Sequence, residues 1–131
     1  MPLNHAKHNY KVCHFLWDNS KYNDWIVTTA YYSAIYFVYH NLFPKSYEDP
    51  ISGNIRNFNS FQEYCKRLPY NDSKHRATED LVSEHLPEIY AYFKTLKDIC
   101  WTARYDDYQI EDVIVNECID DLEEISTFCT Q

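Results

Sequence analysis

Apolar positions along the chain recur at helical spacing almost throughout. Leu3, Ala6, Tyr10, Cys13 and Trp17 alternate by three and four residues, and Phe15 and Leu16 widen the stripe. This predicts a first helix over residues 2–22, with Pro2 tolerated in its first turn. A polar turn follows, in which Asn23 or Asp24 is a candidate cap. The second helix is then expected over residues 24–43, through Trp25, Ala30, Tyr31, Ala34, Ile35, Val38 and Leu42, with Pro44 as its stop. Ala30, Ser33 and Ala34 stand among large aromatics, where small side chains let a neighbouring helix come close.

Residues 44–56 read as a loop, because Pro44, Pro50 and the Ser52-Gly53-Asn54 cluster break any period. Residues 59–67 fit a short helix bearing Phe61, Tyr64 and Cys65, and residues 68–72 fit a turn. Ser73 is placed to cap a helix through Ala77, Leu81, Val82 and His85. Pro87 suits the opening of another helix, whose stripe is Leu86, Ile89, Tyr90, Phe93, Leu96, Cys100 and Ala103. The last helix spans about residues 109–128 and carries Ile110, Val113, Ile114, Cys118, Leu122 and Ile125 on one face. The other face holds Glu111, Asp112, Glu117, Asp120, Asp121, Glu123 and Glu124, the composition of a solvated surface. Short connections and the absence of any repeat or linker predict one all-α domain over residues 1–131. Its expected form is an antiparallel up-down bundle of four main helices plus a short extra one.

Composition sharpens this picture in three ways. Gly occurs once, at Gly53, which disfavours a sheet-rich fold with many turns. Residues 25–43 contain no Asp, Glu, Lys or Arg and are long enough to cross a bilayer. Four Tyr with Thr28, Thr29, Ser33, His40 and Asn41 are spread along that run, which fits a buried central helix and no membrane span. The five Cys form no CxxC pair and are odd in number. They read as small buried hydrophobes in a reducing, cytoplasmic setting, and the N-terminus lacks a signal-peptide pattern. The formal net charge of −8 disfavours broad, non-specific nucleic-acid binding but leaves room for a local basic patch.

In an alternating bundle, one end would gather His5, His8, His40, Lys74, His75, Arg76, Arg104 and Tyr105. Imidazole and guanidinium groups together suit a phosphate, a nucleotide or RNA. Arg104 and His40 also stand where a helix C-terminus favours a cation, so capping accounts for them as well. Tyr31 lies on the apolar stripe of its helix. Tyr32 is turned away from it, towards a groove or a second copy, and Trp101 falls beside the Leu96/Cys100 stripe. His5 and His8 are one helical turn apart, but no Cys or carboxylate completes a recognised zinc spacing, so no metal is expected. Cys13 and His14 are sequence neighbours, which do not face each other on a helix. A single Gly cannot build a phosphate loop, and no cofactor is expected.

The block HNYKVCHFLWDNSKYNDWIVTTAYYSAIYFVYHNLFP resembles the start of a HEPN (higher eukaryotes and prokaryotes nucleotide-binding) domain. The matching positions are Asp24-Trp25 and the run Ala30, Tyr31, Tyr32, Ser33, Ala34. The stretch SKHRATEDLVSEHLPEIYAYFKTLKDICWTARYDDY is similar to small bacterial members, through His75, Arg76, Leu86, Pro87, Ile89, Tyr90, Leu96 and Ala103 to Asp106. The resemblance runs from about His5 to Ile125 and rests on packing residues. It implies an up-down bundle, a homodimer, and either ribonuclease activity or a binding role. It also implies a protein partner such as a small nucleotidyltransferase in a toxin–antitoxin pair. Family ribonucleases use an Arg, four to six intervening residues, and then a His. Here seven residues separate Arg67 from His75 and eight separate Arg76 from His85. The expectation is therefore a non-catalytic binding or dimerisation module for a nucleotide or protein. The alternative is an RNA-cleaving variant with His75 in acid–base chemistry and Arg76 or Arg104 supporting phosphate. Lys74, Tyr105, His40 and Tyr32 are the expected binding residues around them.

Overall fold

The computed structural model describes residues 1–69 and 73–131, and is predominantly helical with one small two-stranded sheet. Of the turn expected over residues 68–72, residues 70–72 lie outside the described residues. Helix α1 spans Pro2–Asn19. It stops short of the expected residue 22 because Ser20 is extended, donates its hydroxyl to the Leu16 carbonyl at 2.6 Å and accepts the Tyr22 amide at 3.3 Å. A side chain that competes for backbone groups in this way ends a helix.

Helix α2 spans Asn23–Leu42 and buries residues on nearly every side, including Ile26, Val27, Ala30, Ala34, Phe37, Val38 and Leu42. Its first turn is not capped by Asn23 or Asp24. The Asn23 amide instead donates to the Ile110 carbonyl at 2.7 Å and to Asp112 at 2.8 Å, tying the start of α2 to the last helix. Phe43, the residue before Pro44, is extended, as the steric clash with a following proline requires. Ser33, at 0% exposure, donates its hydroxyl to the Ala6 carbonyl at 2.8 Å. Its small size thus lets α1 and α2 pack backbone to side chain. No helix among the described residues is long and apolar enough to cross a membrane.

Residues 44–56 are not a plain loop. Strands β1 (Lys45–Glu48) and β2 (Ile55–Phe58) form an antiparallel hairpin in which Lys45 pairs with Phe58 and Glu48 with Ile55. Asp49 closes the turn through its amide to the Asn54 carbonyl at 2.7 Å, and its carboxylate accepts the Ile51 amide at 2.9 Å. Gly53, the chain's sole glycine, occupies φ +76° there, a conformation that costs other residues energy. Tyr47 and Phe58 turn inward and are buried. The buried Asp49 carboxylate receives both Nε (3.0 Å) and Nη2 (2.9 Å) of Arg67, with Arg56 at 3.8 Å. The hydrogen bond from Arg67, followed by that from the Ile51 amide, holds the carboxyl at about 2.

Helix α3 (Phe61–Cys65) is capped by Ser60, whose hydroxyl accepts the Glu63 amide. Helix α4 (Lys74–His85) is capped as expected by Ser73, which accepts the Arg76 amide at 3.4 Å. Pro87–Ile89 make one turn of 3-10 helix before α5 (Tyr90–Tyr105). Helix α6 spans Asp112–Cys129. It starts later than the expected residue 109 because the Asp107 carboxylate captures the Gln109 amide at 2.9 Å and the Ile110 carbonyl is taken by Asn23.

Side-chain pairs fix the helix directions. Trp25 lies by Arg104, Thr28 by Cys100 and Tyr31 by Phe93, so α5 runs antiparallel to α2. Tyr10 meets Glu123, Trp17 meets Asn116 and Lys21 meets Asp112, so α6 runs antiparallel to α1. The core is one continuous cluster around α2, with Phe93, Leu96, Leu122 and Ile125 fully buried. All five cysteines are free thiols, and four of them are buried, as small hydrophobes would be. The outward face of α6 is largely exposed, as its charge run suggested. Glu123 departs from that pattern by receiving the Tyr10 hydroxyl and lying 3.1 Å from His14 Nε2.

Candidate functional site

The antiparallel course of α5 decides which cationic residues can meet. Arg104, in its last turn, lies beside Trp25 at the beginning of α2, far along that helix from His40. The expected single end gathering His5, His8, His40, Lys74, His75, Arg76, Arg104 and Tyr105 therefore divides. His75, Arg76, Arg104, Tyr105 and Tyr32 line one cleft of about 630 Å³ between α2, α4 and α5. His40 lines a different hollow with His5 and Tyr36. The reason is that β1, β2 and α3 carry the chain back, so α4 begins beside Tyr31 in the middle of α2. Lys74 is exposed and does not line the cleft, being one residue and about 100° around the helix from His75. His8 is exposed on α1, outside the cleft lining.

One face of α5 supplies a wall. Lys97, Cys100, Trp101, Arg104 and Tyr105 fall at intervals of three and four, so they project together. Trp101 is 60% exposed and Tyr105 71%, their rings 5.6 Å apart. The Arg104 guanidinium lies 5.9 Å over the Tyr105 ring and 6.0 Å over that of Trp25, within the reach of a cation–π attraction. Among the described residues neither Arg76 nor Arg104 pairs with a carboxylate. Lys97 differs, since its ammonium contacts Glu79, which also accepts from Tyr90 at 3.0 Å and from Lys94 at 3.3 Å. Burial of Glu79 opposes its ionisation, but the hydrogen bonds from Lys97, Tyr90 and Lys94 outweigh it and lower its pKa. Glu79 thus holds α4 to α5 and offsets the charge of Lys97.

The opposite wall is built by α2 and the first turn of α4. His75 Nδ1 lies 3.3 Å from the Tyr31 hydroxyl, and the Tyr32 ring stands edge-on to the imidazole at 6.4 Å. Burial, and then the Lys97 charge, lower the His75 pKa, so the imidazole is neutral near pH 7. Burial, reinforced by Cys100 and Tyr39, raises that of Tyr31, which keeps its proton and can donate to His75. The Cys100 thiol is buried and its pKa is raised by burial despite Thr28 and Arg104, which disfavours the reactive thiolate. Among the described residues no three His, Cys, Asp or Glu side chains gather in a way that would hold a metal ion.

Trp25 and Lys97 were missed by sequence reasoning. Lys97 was legible, because it precedes Trp101 by four residues and Arg104 by seven on the same helix face. Trp25 was not, because its place beside Arg104 depends on the direction of α5. Chemically, the cleft offers two guanidinium groups and a neutral imidazole against exposed aromatic rings. Such a set complements a planar ring that carries a phosphate. Compared with known proteins, the chain matches no family model, no curated protein and no solved structure.

Proposed function

We propose that this chain is a HEPN-like binding module and not an enzyme. Its helices α1, α2, α5 and α6 act as a four-helix up-down bundle, and its α2–α4–α5 cleft binds a nucleotide. The observation that carries this reading is the convergence of Arg76, Arg104 and His75 with Trp101, Tyr105 and Tyr32 around one cleft. The cleft is cationic on a chain whose formal net charge is −8. Arginine binds phosphate through paired N–H donors, and exposed rings stack on a base. The volume lies within the range of small-ligand sites. Pairing of two copies, and a protein partner of the nucleotidyltransferase type, belong to the same proposal. The exposed Trp25 ring, outside the cleft lining, offers a surface for that contact.

Titration of the full chain with adenosine 5′-monophosphate tests the reading. Saturable binding that weakens in Arg76→Ala and Arg104→Ala supports it, and equal binding by all three proteins contradicts it. A second reading, RNA cleavage in the same cleft, draws on the neutral His75 imidazole next to two arginines. Incubation with mixed RNA separates the two. Cleavage that disappears in both His75→Ala and Arg104→Ala would establish the enzyme, while intact RNA at concentrations that support a dimer favours the binding module.

A further inference from the structure

The second hollow lies between the start of α1, the last turns of α2 and the segment leading into α3, and its volume is about 610 Å³. Four rings build a continuous wall along it. His5 stacks on Tyr36 at 3.7 Å with 14° between the planes, and Tyr36 stands edge-on to Tyr39 at 5.8 Å. Tyr39 in turn stacks on Phe61 at 4.4 Å and 15°. The Tyr39 hydroxyl is engaged by Thr78 at 2.8 Å, so Tyr39 offers the hollow its ring and not a free hydroxyl. A row of flat faces of this kind complements another flat ring, because offset stacking and edge contacts add to the burial of apolar area.

The polar groups narrow the choice further. The chain has 20 Asp and Glu residues, yet none of them lines this hollow. His5 and His40 line it, with Asn59 and Gln62. These groups supply N–H donors without a carboxylate to repel an anion. No Arg or Lys lines it either, so the hollow lacks the paired guanidinium donors that favour a phosphate. A single carboxylate on an aromatic ring matches both halves of the site.

We infer that this hollow is a second binding site, separate from the cleft at His75, and that it takes a small aromatic carboxylate. The ring lies against the wall of Tyr36, Tyr39 and Phe61, and the carboxylate accepts hydrogen bonds from His5, His40 and Gln62.

The test uses the full chain and follows its histidine and aromatic side-chain NMR signals. Three probes are compared: indole-3-acetate, the uncharged indole-3-ethanol, and phenyl phosphate. Indole-3-acetate is expected to shift His5, His40 and Tyr36 saturably, with half-saturation of about 1 mM or below, as suits a fragment-sized ligand. His5→Ala and His40→Gln replace exposed side chains, and each should weaken the binding about tenfold, while both leave the His75 signals in place. Indole-3-ethanol and phenyl phosphate should each bind at least about tenfold more weakly here. Absence of saturation by about 10 mM would overturn the proposal, since that exceeds the expected half-saturation tenfold. Equal shifts from the uncharged probe, or shifts confined to His75 and Trp101, would overturn it as well.

Discussion

The two hollows along α2 are almost equal in volume, about 630 and 610 Å³, and both are lined by aromatic rings and imidazoles. They differ in the kind of positive group they present. The cleft at His75 holds Arg76, Lys97 and Arg104, contributed by the consecutive helices α4 and α5. The hollow at His40 has no Arg or Lys, and is bounded by the segment that follows the hairpin. Size and aromatic lining therefore leave ligand class open, and the charge type separates a phosphate site from a carboxylate site. The supporting structure differs too. The cleft rests on fully buried Phe93 and on the Glu79–Lys97 tie between α4 and α5. The other hollow adjoins a hairpin pinned by Arg67 on the buried Asp49 carboxylate.

The largest expected effect separates these supports. Phe93→Ala should lower the unfolding free energy by about 3–5 kcal/mol, because it removes a fully buried ring packed 5.7 Å from that of Tyr31. Urea unfolding measures it, and a loss below about 1 kcal/mol would show that this part of the core is loosely packed. Next, Arg104→Ala should weaken nucleotide binding by roughly ten- to a hundredfold, the loss expected for a charge-assisted hydrogen bond. Arg104→Lys should restore only part of it, because an ammonium cannot make the paired contact. His40→Gln should leave nucleotide binding unchanged, and a comparable loss there would dissolve the distinction between the two sites.

Smaller effects follow from pH. Phosphate binding near His75 favours the imidazolium, whereas burial and Lys97 hold the free imidazole neutral. Nucleotide affinity should therefore rise a few-fold as pH falls below 7, by up to one proton's worth, and His75→Gln should flatten that rise. The free protein behaves oppositely. A His whose folded pKa is lowered binds its proton more readily when unfolded, so His75 subtracts stability as pH falls through its ordinary value near 6.5. The smallest global effect belongs to the hairpin. Asp49 has a depressed carboxyl, so its contribution is fully present above the unfolded value of about 3.9 and is lost as pH falls through about 2. Hydrogen exchange should show the Asp49 and Gly53 turn amides protected at pH 5 and opening towards pH 2. Asp49→Asn should leave that turn exposed at both pH values, with the α2–α5 contacts unaffected.

Sequence pattern was strongest where one element carries its own signal. The charge-free run from Trp25 to Phe43 announced a buried central helix, the Leu96/Cys100 stripe announced α5, and Ser73 announced a cap. The hairpin was hidden because each strand has only four residues and just Tyr47 and Phe58 point inward, too few for an alternating pattern. The candidate site was half visible for a similar reason. His75 and Arg76 are neighbours in sequence, and Arg104 with Tyr105 closes one helix, so each pair could be picked out. Whether the pairs meet depends on the direction of α5 and on α4 starting beside Tyr31. Local periodicity contains neither fact. His40 was grouped with His75 on an assumed common end, but it lies eight residues beyond Tyr32 on α2, roughly 12 Å further along the axis.

Nucleotide binding in the His75 cleft is tested most directly by calorimetric titration of adenosine 5′-monophosphate into the full chain, Arg104→Ala and His40→Gln. One saturable site is expected in the full chain and in His40→Gln, with affinity at least about tenfold weaker in Arg104→Ala. The same affinity in all three proteins, or no saturable heat in any of them, would contradict a phosphate-binding cleft between α2, α4 and α5.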